Sequence, residues 1–217
     1  MYITFDQVGS FILKQRRPID VETPRLMLLL HGWTGDESSM MIFTAKLPQA
    51  AWLVAPRGLH PAPQGGYSWY PPSNRISWPN LDIFRPSVQS LLELMTPENF
   101  PGACLEQLDL VGFSQGAALA YAFALLHPQR VRAVAGMAGF LPDGVATFLG
   151  NDKPLLGKPI FVTHGSRDTI IPVDFARRGV EFLQQAGADV MYCEDDVGHK
   201  LSAGCFASLE AFWQRLL

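Results

Sequence analysis

Charge is scarce in this chain: Asp, Glu, Lys and Arg make up only 17% of 217 residues, and the formal net charge is −3 at pH 7. No basic run or stripe is present, so a nucleic-acid partner is not expected. At 48% hydrophobic residues, the composition also excludes an intrinsically disordered chain. Long apolar runs are missing. Runs such as Leu26 to Leu30 fall far short of the roughly 20 residues that a membrane-spanning helix needs. Cysteine is sparse as well. Cys104, Cys193 and Cys205 are an odd number without zinc-ligand spacing, which argues against a secreted disulfide framework and predicts three free thiols in a reducing compartment. The N-terminal stretch from Met1 to Asp6 has neither the basic nor the apolar region of a signal peptide. A cytoplasmic protein without a membrane span is the expectation.

What is present is an alternation of apolar runs and helix-like stretches. Leu26–Leu30, Trp52–Ala55, Leu108–Phe113, Val131–Met137 and Pro159–Thr163 read as strands covered on both faces, because their apolar residues are continuous rather than alternating. Ala188–Cys193 looks like one more strand, and Tyr2–Phe5 and Phe11–Lys14 like edge strands. Helices are expected at about 115–126, 174–186 and 201–217, the first ended by His127-Pro128 and the second by Gly187. This pattern predicts one α/β domain over residues 1–217, a three-layer fold with a mostly parallel sheet and helices on both faces. One stretch breaks the rhythm. Seven prolines fall between positions 56 and 86, interleaved with Tyr67, Trp69, Tyr70, Trp78 and Phe84. No period runs through it, and it is read as an ordered loop over about 57–86, laid across the C-terminal edge of the sheet where ligands bind in open α/β folds.

Gly112-Phe113-Ser114-Gln115-Gly116 matches G-x-S-x-G between a buried strand and a helix, where a sharp turn would present the Ser114 hydroxyl above the sheet. A phosphate-binding loop is disfavoured, since no G-x-x-x-x-G-K-[ST] accompanies it. A serine hydroxyl needs a base to take its proton and an acid to orient that base. Of five histidines, His199 in the loop between the last strand and the last helix is the candidate base. His164 is an alternative, His31 reads as a loop support, and His60 and His127 lie in the proline-rich loop and at a helix end. Asp168, in the loop after the fifth buried strand, is the candidate orienting acid, with Asp195 and Asp196 as alternatives. Backbone N–H groups aimed at a developing oxyanion form the fourth part of such a site. Gln115, after the nucleophile, and Trp33, in the His31–Gly35 loop, are the candidate donors. Trp33, Tyr67 and Trp69 are the candidate substrate-binding side chains.

With these residues in place the chain resembles the phospholipase/carboxylesterase branch of the α/β-hydrolases, which includes acyl-protein thioesterases. The matching pieces are Leu30–Glu37, Ala55–Gly58, Tyr67–Tyr70, Gly112–Gly116, Gly165–Asp168 with Ile171-Pro172, and Gly198-His199, in the triad order Ser114, Asp168, His199. The resemblance implies hydrolysis of small-molecule esters or thioesters through an acyl-enzyme, with no metal and no organic cofactor. Homodimers also occur in the family. A serine carboxylesterase is the leading expectation. The alternatives are a thioesterase acting on acylated proteins or acyl carriers, a lysophospholipase-like enzyme, a small peptidase, or a non-catalytic ligand-binding module. Two departures stand out. Val197 replaces a glycine common in the family and is expected to restrict the base loop, and Trp33 stands where a small residue or Leu is usual and is expected to narrow the pocket.

Overall fold

The computed structural model describes residues 2–72, 78–148 and 153–217. Its elements run β1 (Tyr2–Val8), β2 (Phe11–Arg17), β3 (Arg25–Leu30), β4 (Trp52–Pro56), β5 (His60–Pro61), β6 (Tyr67–Ser68), α1 (Leu81–Leu94), β7 (Cys104–Phe113), α2 (Gln115–Leu126), β8 (Val131–Met137), β9 (Pro159–Gly165), α3 (Val173–Gln185), β10 (Asp189–Asp195) and α4 (Ala203–Gln214). Eight strands form one sheet in the order β1-β2-β4-β3-β7-β8-β9-β10, while β5 and β6 make a separate two-stranded ribbon. The β1–β2 and β2–β4 pairings are antiparallel, and every pairing from β4 to β10 is parallel.

The continuous apolar strands are continuous because both their faces are covered. Leu26, Leu28 and Leu30 of β3 pack into one layer with Phe84, Val88 and Leu91 of α1, the Ala-rich α2, and Leu183 of α3. Met27 and Leu29, one residue out of phase, face the opposite layer, where Met40 and Phe43 of the turn at 39–46 meet Leu209, Phe212 and Trp213 of α4. Side chains that alternate along a strand thus supply both cores. Helix α2 is buried along nearly its whole length, as its lack of a polar face requires. Within the sheet, Arg132 makes two hydrogen bonds (2.8 and 2.6 Å) to the buried carboxylate of Asp109, and its other nitrogen donates to the Leu216 carbonyl. No helix among the described residues is long and apolar enough to cross a membrane.

Two expectations need correction. The proline-rich loop predicted to reach residue 86 ends earlier, because α1 begins at Leu81 with the Asn80 side chain accepting from the Ile83 N–H. Pro86 sits inside that helix on its exposed side, where the carbonyl it leaves without a donor is open to water. The period that marks the helix, Leu81, Phe84, Val88, Leu91, runs straight through the proline. The second correction concerns cysteine. Cys193 of β10 and Cys205 of α4 form a disulfide, with a Cα–Cα distance of 5.8 Å, and only Cys104 is free. Side-by-side packing of strand and helix creates that pairing, and sequence spacing does not reveal it. The cysteine argument for a reducing compartment falls with it.

The disulfide closes a loop across a sequence separation of 12, for which restriction of the unfolded chain stabilises by about 3 kcal/mol. Cys193→Ser/Cys205→Ser, or reduction of the wild type, is expected to lower the thermal midpoint by roughly 10 °C. A melt unchanged by a phosphine reductant, with two new thiols titrated, would contradict this.

Candidate active site

Ser114 occupies the single residue between β7 and α2, at φ 55° and ψ −116°. A non-glycine residue there carries backbone strain on the order of 1–3 kcal/mol, and the surroundings hold it in place. Its N–H donates to the Met137 carbonyl at the end of β8 (2.8 Å). The flanking glycines have no room for a side chain: a Cβ on Gly112 would strike the Gly116 carbonyl, and one on Gly116 would strike the Leu30 carbonyl. The strand, the turn and the neighbouring strand therefore meet backbone to backbone, which fixes where the hydroxyl emerges.

His199 follows β10 in a loop anchored through its main chain. Ser166 N–H donates to the Asp195 carbonyl (2.8 Å) and Arg167 N–H to the Val197 carbonyl (3.0 Å), while a Cβ at Gly165 would overlap the Val197 and Gly198 carbonyls. The base loop is docked through these backbone contacts. The structure brings Ser114, His199 and Asp168 into one line: His199 Nε2 lies 3.0 Å from Ser114 Oγ, and His199 Nδ1 lies 2.6 Å from Asp168 Oδ2. Because an ionised carboxylate only accepts, Nδ1 carries the proton and the Nε2 lone pair faces the hydroxyl.

Asp168 is buried, at 7% exposure, with a complete set of donors. Its Oδ1 accepts from the N–H groups of Ile170 (2.9 Å) and Ile171 (3.0 Å). Burial pushes this carboxyl up, but the Ile171 amide, His199 and the Ile170 amide together outweigh burial and hold it below the usual carboxylate range. His164 Nε2 is 3.3 Å from Asp168 Oδ2 and 2.8 Å from the Ile171 carbonyl, to which it donates. Its Nδ1 is buried without a partner among the described residues. The ring therefore braces the Asp168–Ile171 loop and has no contact with Ser114. The alternative acids are engaged elsewhere: Asp196 pairs with Arg167 (2.6 Å), and Asp195 accepts from the Asp196 N–H.

The Trp33 and Gln115 backbone N–H groups donate to no acceptor among the described residues, and Gln115 opens the twelve-residue α2, whose N-terminus favours an anion. Sequence reading did not foresee the Gln115 side chain. Its Oε1 accepts from the Trp69 N–H (3.1 Å) and its Nε2 donates to Ser68 Oγ (3.0 Å), pinning the aromatic segment onto the helix start. His31, fully buried, accepts from the Gly58 N–H at Nε2 (2.8 Å) and donates from Nδ1 to the Gly32 carbonyl (2.7 Å). Burial is the main cause that lowers its pKa.

Two of the candidate substrate-binding side chains are elsewhere. Trp69 is only 1% exposed, with its indole N–H donating to the His31 carbonyl (2.8 Å), so it packs beneath the site. Tyr67 turns to Arg57, which stacks on its ring and is itself held by Glu37. Trp33 does reach the site, 52% exposed. A cavity of about 700 Å³ opens over Ser114, walled by Trp33, Tyr70, Trp78, Ile83, Phe140 and Ile171. Trp33 also lines a second cavity of about 410 Å³, so its indole is shared by two cavities. Phe140 and Ile83 were not singled out from the sequence. The G-x-S-x-G neighbourhood carries no signal for them, because they arrive from α1 and from the loop after β8. Among the described residues, no group of three or more His, Cys, Asp or Glu side chains converges as a metal site.

The profile of the phospholipase/carboxylesterase family matches residues 17–217. A probable inactive carboxylesterase of Oryza sativa subsp. japonica is 32% identical over 124 residues, covering 55% of this chain and 49% of the relative. Acyl-protein thioesterase 1 of Saccharomyces cerevisiae is 28% identical over 120 residues, covering 54% and 51%. The alignments thus span about half the length of these curated relatives. Among solved structures, the Bacillus cereus carboxylesterase superposes with a TM-score of 0.80 at 18% identity, covering 96% of each chain. A Mesorhizobium loti carboxylesterase superposes at 0.76 with 22% identity, covering 99% and 98%. At these identities the likeness is one of fold, and the fold is that of the α/β-hydrolases.

His31 and His164 both have pKa values lowered from 6.5, burial being the first cause in each. The unfolded chain therefore binds protons at these positions before the folded one does, and stability is lost as pH falls below about 6.5. The urea midpoint is expected to be lower at pH 5 than at pH 7.5, and His31→Asn/His164→Asn to flatten that difference. A midpoint that rises on acidification would refute it.

Proposed function

Because the chain belongs to the phospholipase/carboxylesterase family, we propose that it is a serine hydrolase that cleaves small carboxylic esters through an acyl-enzyme. The observation that carries this reading is the unbroken hydrogen-bonded line from Asp168 through His199 to Ser114. Ser114 Oγ attacks the ester carbonyl carbon as His199 Nε2 takes its proton, and the Asp168 carboxylate stabilises the imidazolium that results. The carbonyl oxygen, now an anion, accepts from the Trp33 and Gln115 N–H groups, each contributing on the order of 3 kcal/mol where such donors have been removed in other hydrolases. Collapse breaks the bond to the alkoxy group, which leaves with the proton from His199. Water, deprotonated by the same nitrogen, then attacks the acyl-serine carbonyl; the carbon–Oγ bond breaks, the carboxylic acid leaves, and His199 returns the proton to Ser114 Oγ. Small-molecule esters are the substrates in this scheme, and it needs neither a nucleic acid nor a cofactor.

A thioesterase reading is favoured by the named similarity to acyl-protein thioesterase 1, and it uses the same steps with a thiolate leaving. The non-catalytic reading is kept in view by the relative described as inactive. Both are separated from the esterase by turnover of p-nitrophenyl esters from acetyl to palmitoyl, set against matched thioesters. Ser114→Ala is expected to lower kcat by four or more orders of magnitude. Asp168→Asn, which reverses the hydrogen bond that sets the His199 tautomer, is expected to lower it by about 10⁴-fold. Stoichiometric ligand binding without turnover by the wild type would overturn the catalytic reading.

A further inference from the structure

Trp33 lines two cavities, and the second has no role in the scheme above. It is lined by Trp33, Ile42, Phe43, Phe113, Lys200 and Phe206, among others. Phe43 stacks with Phe113 and with Phe206 at centroid distances of 6.2 and 5.5 Å, and Phe113 lies 5.1 Å from the His199 ring. Lys200 is its only charged lining residue and forms no salt bridge among the described residues.

The chemistry of collapse decides which arm of a substrate goes where. The tetrahedral carbon carries Ser114 Oγ, the oxyanion, the acyl chain and the leaving oxygen. His199 must hand its proton to the leaving oxygen, so that arm lies on the imidazole side. Phe113, whose ring lies 5.1 Å from the imidazole, lines the smaller cavity with Lys200, the residue after His199. Gly32, where a Cβ would come within 3.2 Å of the Ser114 Cβ, lines it too, whereas Ser114, Gln115 and Phe140 line the larger one. Resting on the esterase reading, we propose that the cavity beneath Trp33, Phe43 and Phe206 is the leaving-group site, and that it takes an aryl alcohol bearing a carboxylate. The aromatic walls suit a flat ring, and Lys200 meets its anionic end. The larger cavity, which Ser114 itself lines, then holds the acyl chain.

Because the acyl-enzyme has already lost its alcohol, the leaving-group site acts only in acylation, so its signature is read in kcat/KM ratios between alcohols at a fixed acyl group. Butyrate esters of methanol, phenol and 3-hydroxybenzoate are compared, together with p-nitrophenyl butyrate against octanoate. Comparing variant with wild type cancels intrinsic reactivity. Phe206→Ala is expected to lower the phenyl-to-methyl ratio by about fivefold, as loss of one aromatic contact implies. Lys200→Met is expected to lower the carboxyphenyl-to-phenyl ratio by about threefold, the scale of an exposed ion pair. Ile42, 71% exposed, tolerates replacement, so Ile42→Asp tests the same charge preference in a variant whose core is untouched, and the ratio should again fall. In all three the butyrate-to-octanoate ratio is expected to hold. Alcohol ratios that stay fixed, or a change confined to the acyl series, would overturn the assignment while leaving the esterase reading standing. If the wild type turns over no ester at all, the esterase reading fails and this inference with it.

Discussion

A carboxylate kept ionised away from water is the constraint on which the site is built. Asp168 can be buried because three donors converge on it: the consecutive amides of Ile170 and Ile171 on one oxygen and the His199 imidazole on the other, with the His164 ring close by. An unpaired buried charge would be strongly destabilising, so these partners must all be in place together. That requirement shapes the loop after β9, orients His164 through the Ile171 carbonyl, and draws the His199 loop in from the sheet edge. His199 then has one ring orientation, and its far nitrogen meets Ser114. The reach of this single carboxylate spans three loops on one edge of the sheet.

The opposite wall is assembled by a different set of contacts. His31, Trp69 and Gln115 form a buried chain of hydrogen bonds that ties the end of β3, the aromatic segment and the start of α2 together. Ser87 of α1 adds a hydrogen bond to the Trp69 carbonyl, so the first helix is fastened to the same segment. The amides of Trp33 and Gln115 inherit their positions from this framework. Trp33 remains half exposed there and lines both cavities. One of the two amides that would hold an oxyanion, that of Trp33, thus sits in the short loop whose indole also lines both cavities.

Much of this was legible in the sequence, and the limits of legibility have physical causes. Parallel strands covered on both faces read as unbroken apolar runs, so β3, β4, β7, β8 and β9 were visible. Once they are aligned in parallel, the residues that follow them fall on one edge, and Ser114, Asp168 and His199 follow from that placement. Helix α1 was hidden by Pro86, because a proline on the solvent side of a helix costs one hydrogen bond without breaking the apolar stripe at Phe84, Val88 and Leu91. The orientation of Tyr67 and Trp69 depends on pairing between β6 and the Thr34–Gly35 backbone, which no local pattern encodes. The Cys193–Cys205 bond depends in turn on how α4 lies against β10. Contacts between elements, rather than within them, are where sequence patterns run out.

The backbone contact at Gly116 bears on how such a site can diversify. With the Leu30 carbonyl filling the space a side chain would need, strand and helix are packed backbone to backbone, and the position of Ser114 is tied to the scaffold. New substrate preference cannot then arise by moving Ser114. It has to be written in segments hung outside that contact: the 39–46 turn, the ribbon and loop before α1, and the stretch after β8. Freedom to vary and structural intolerance are in this way assigned to different parts of the same chain, so that the outer loops can be rewritten one by one over a framework that stays unchanged.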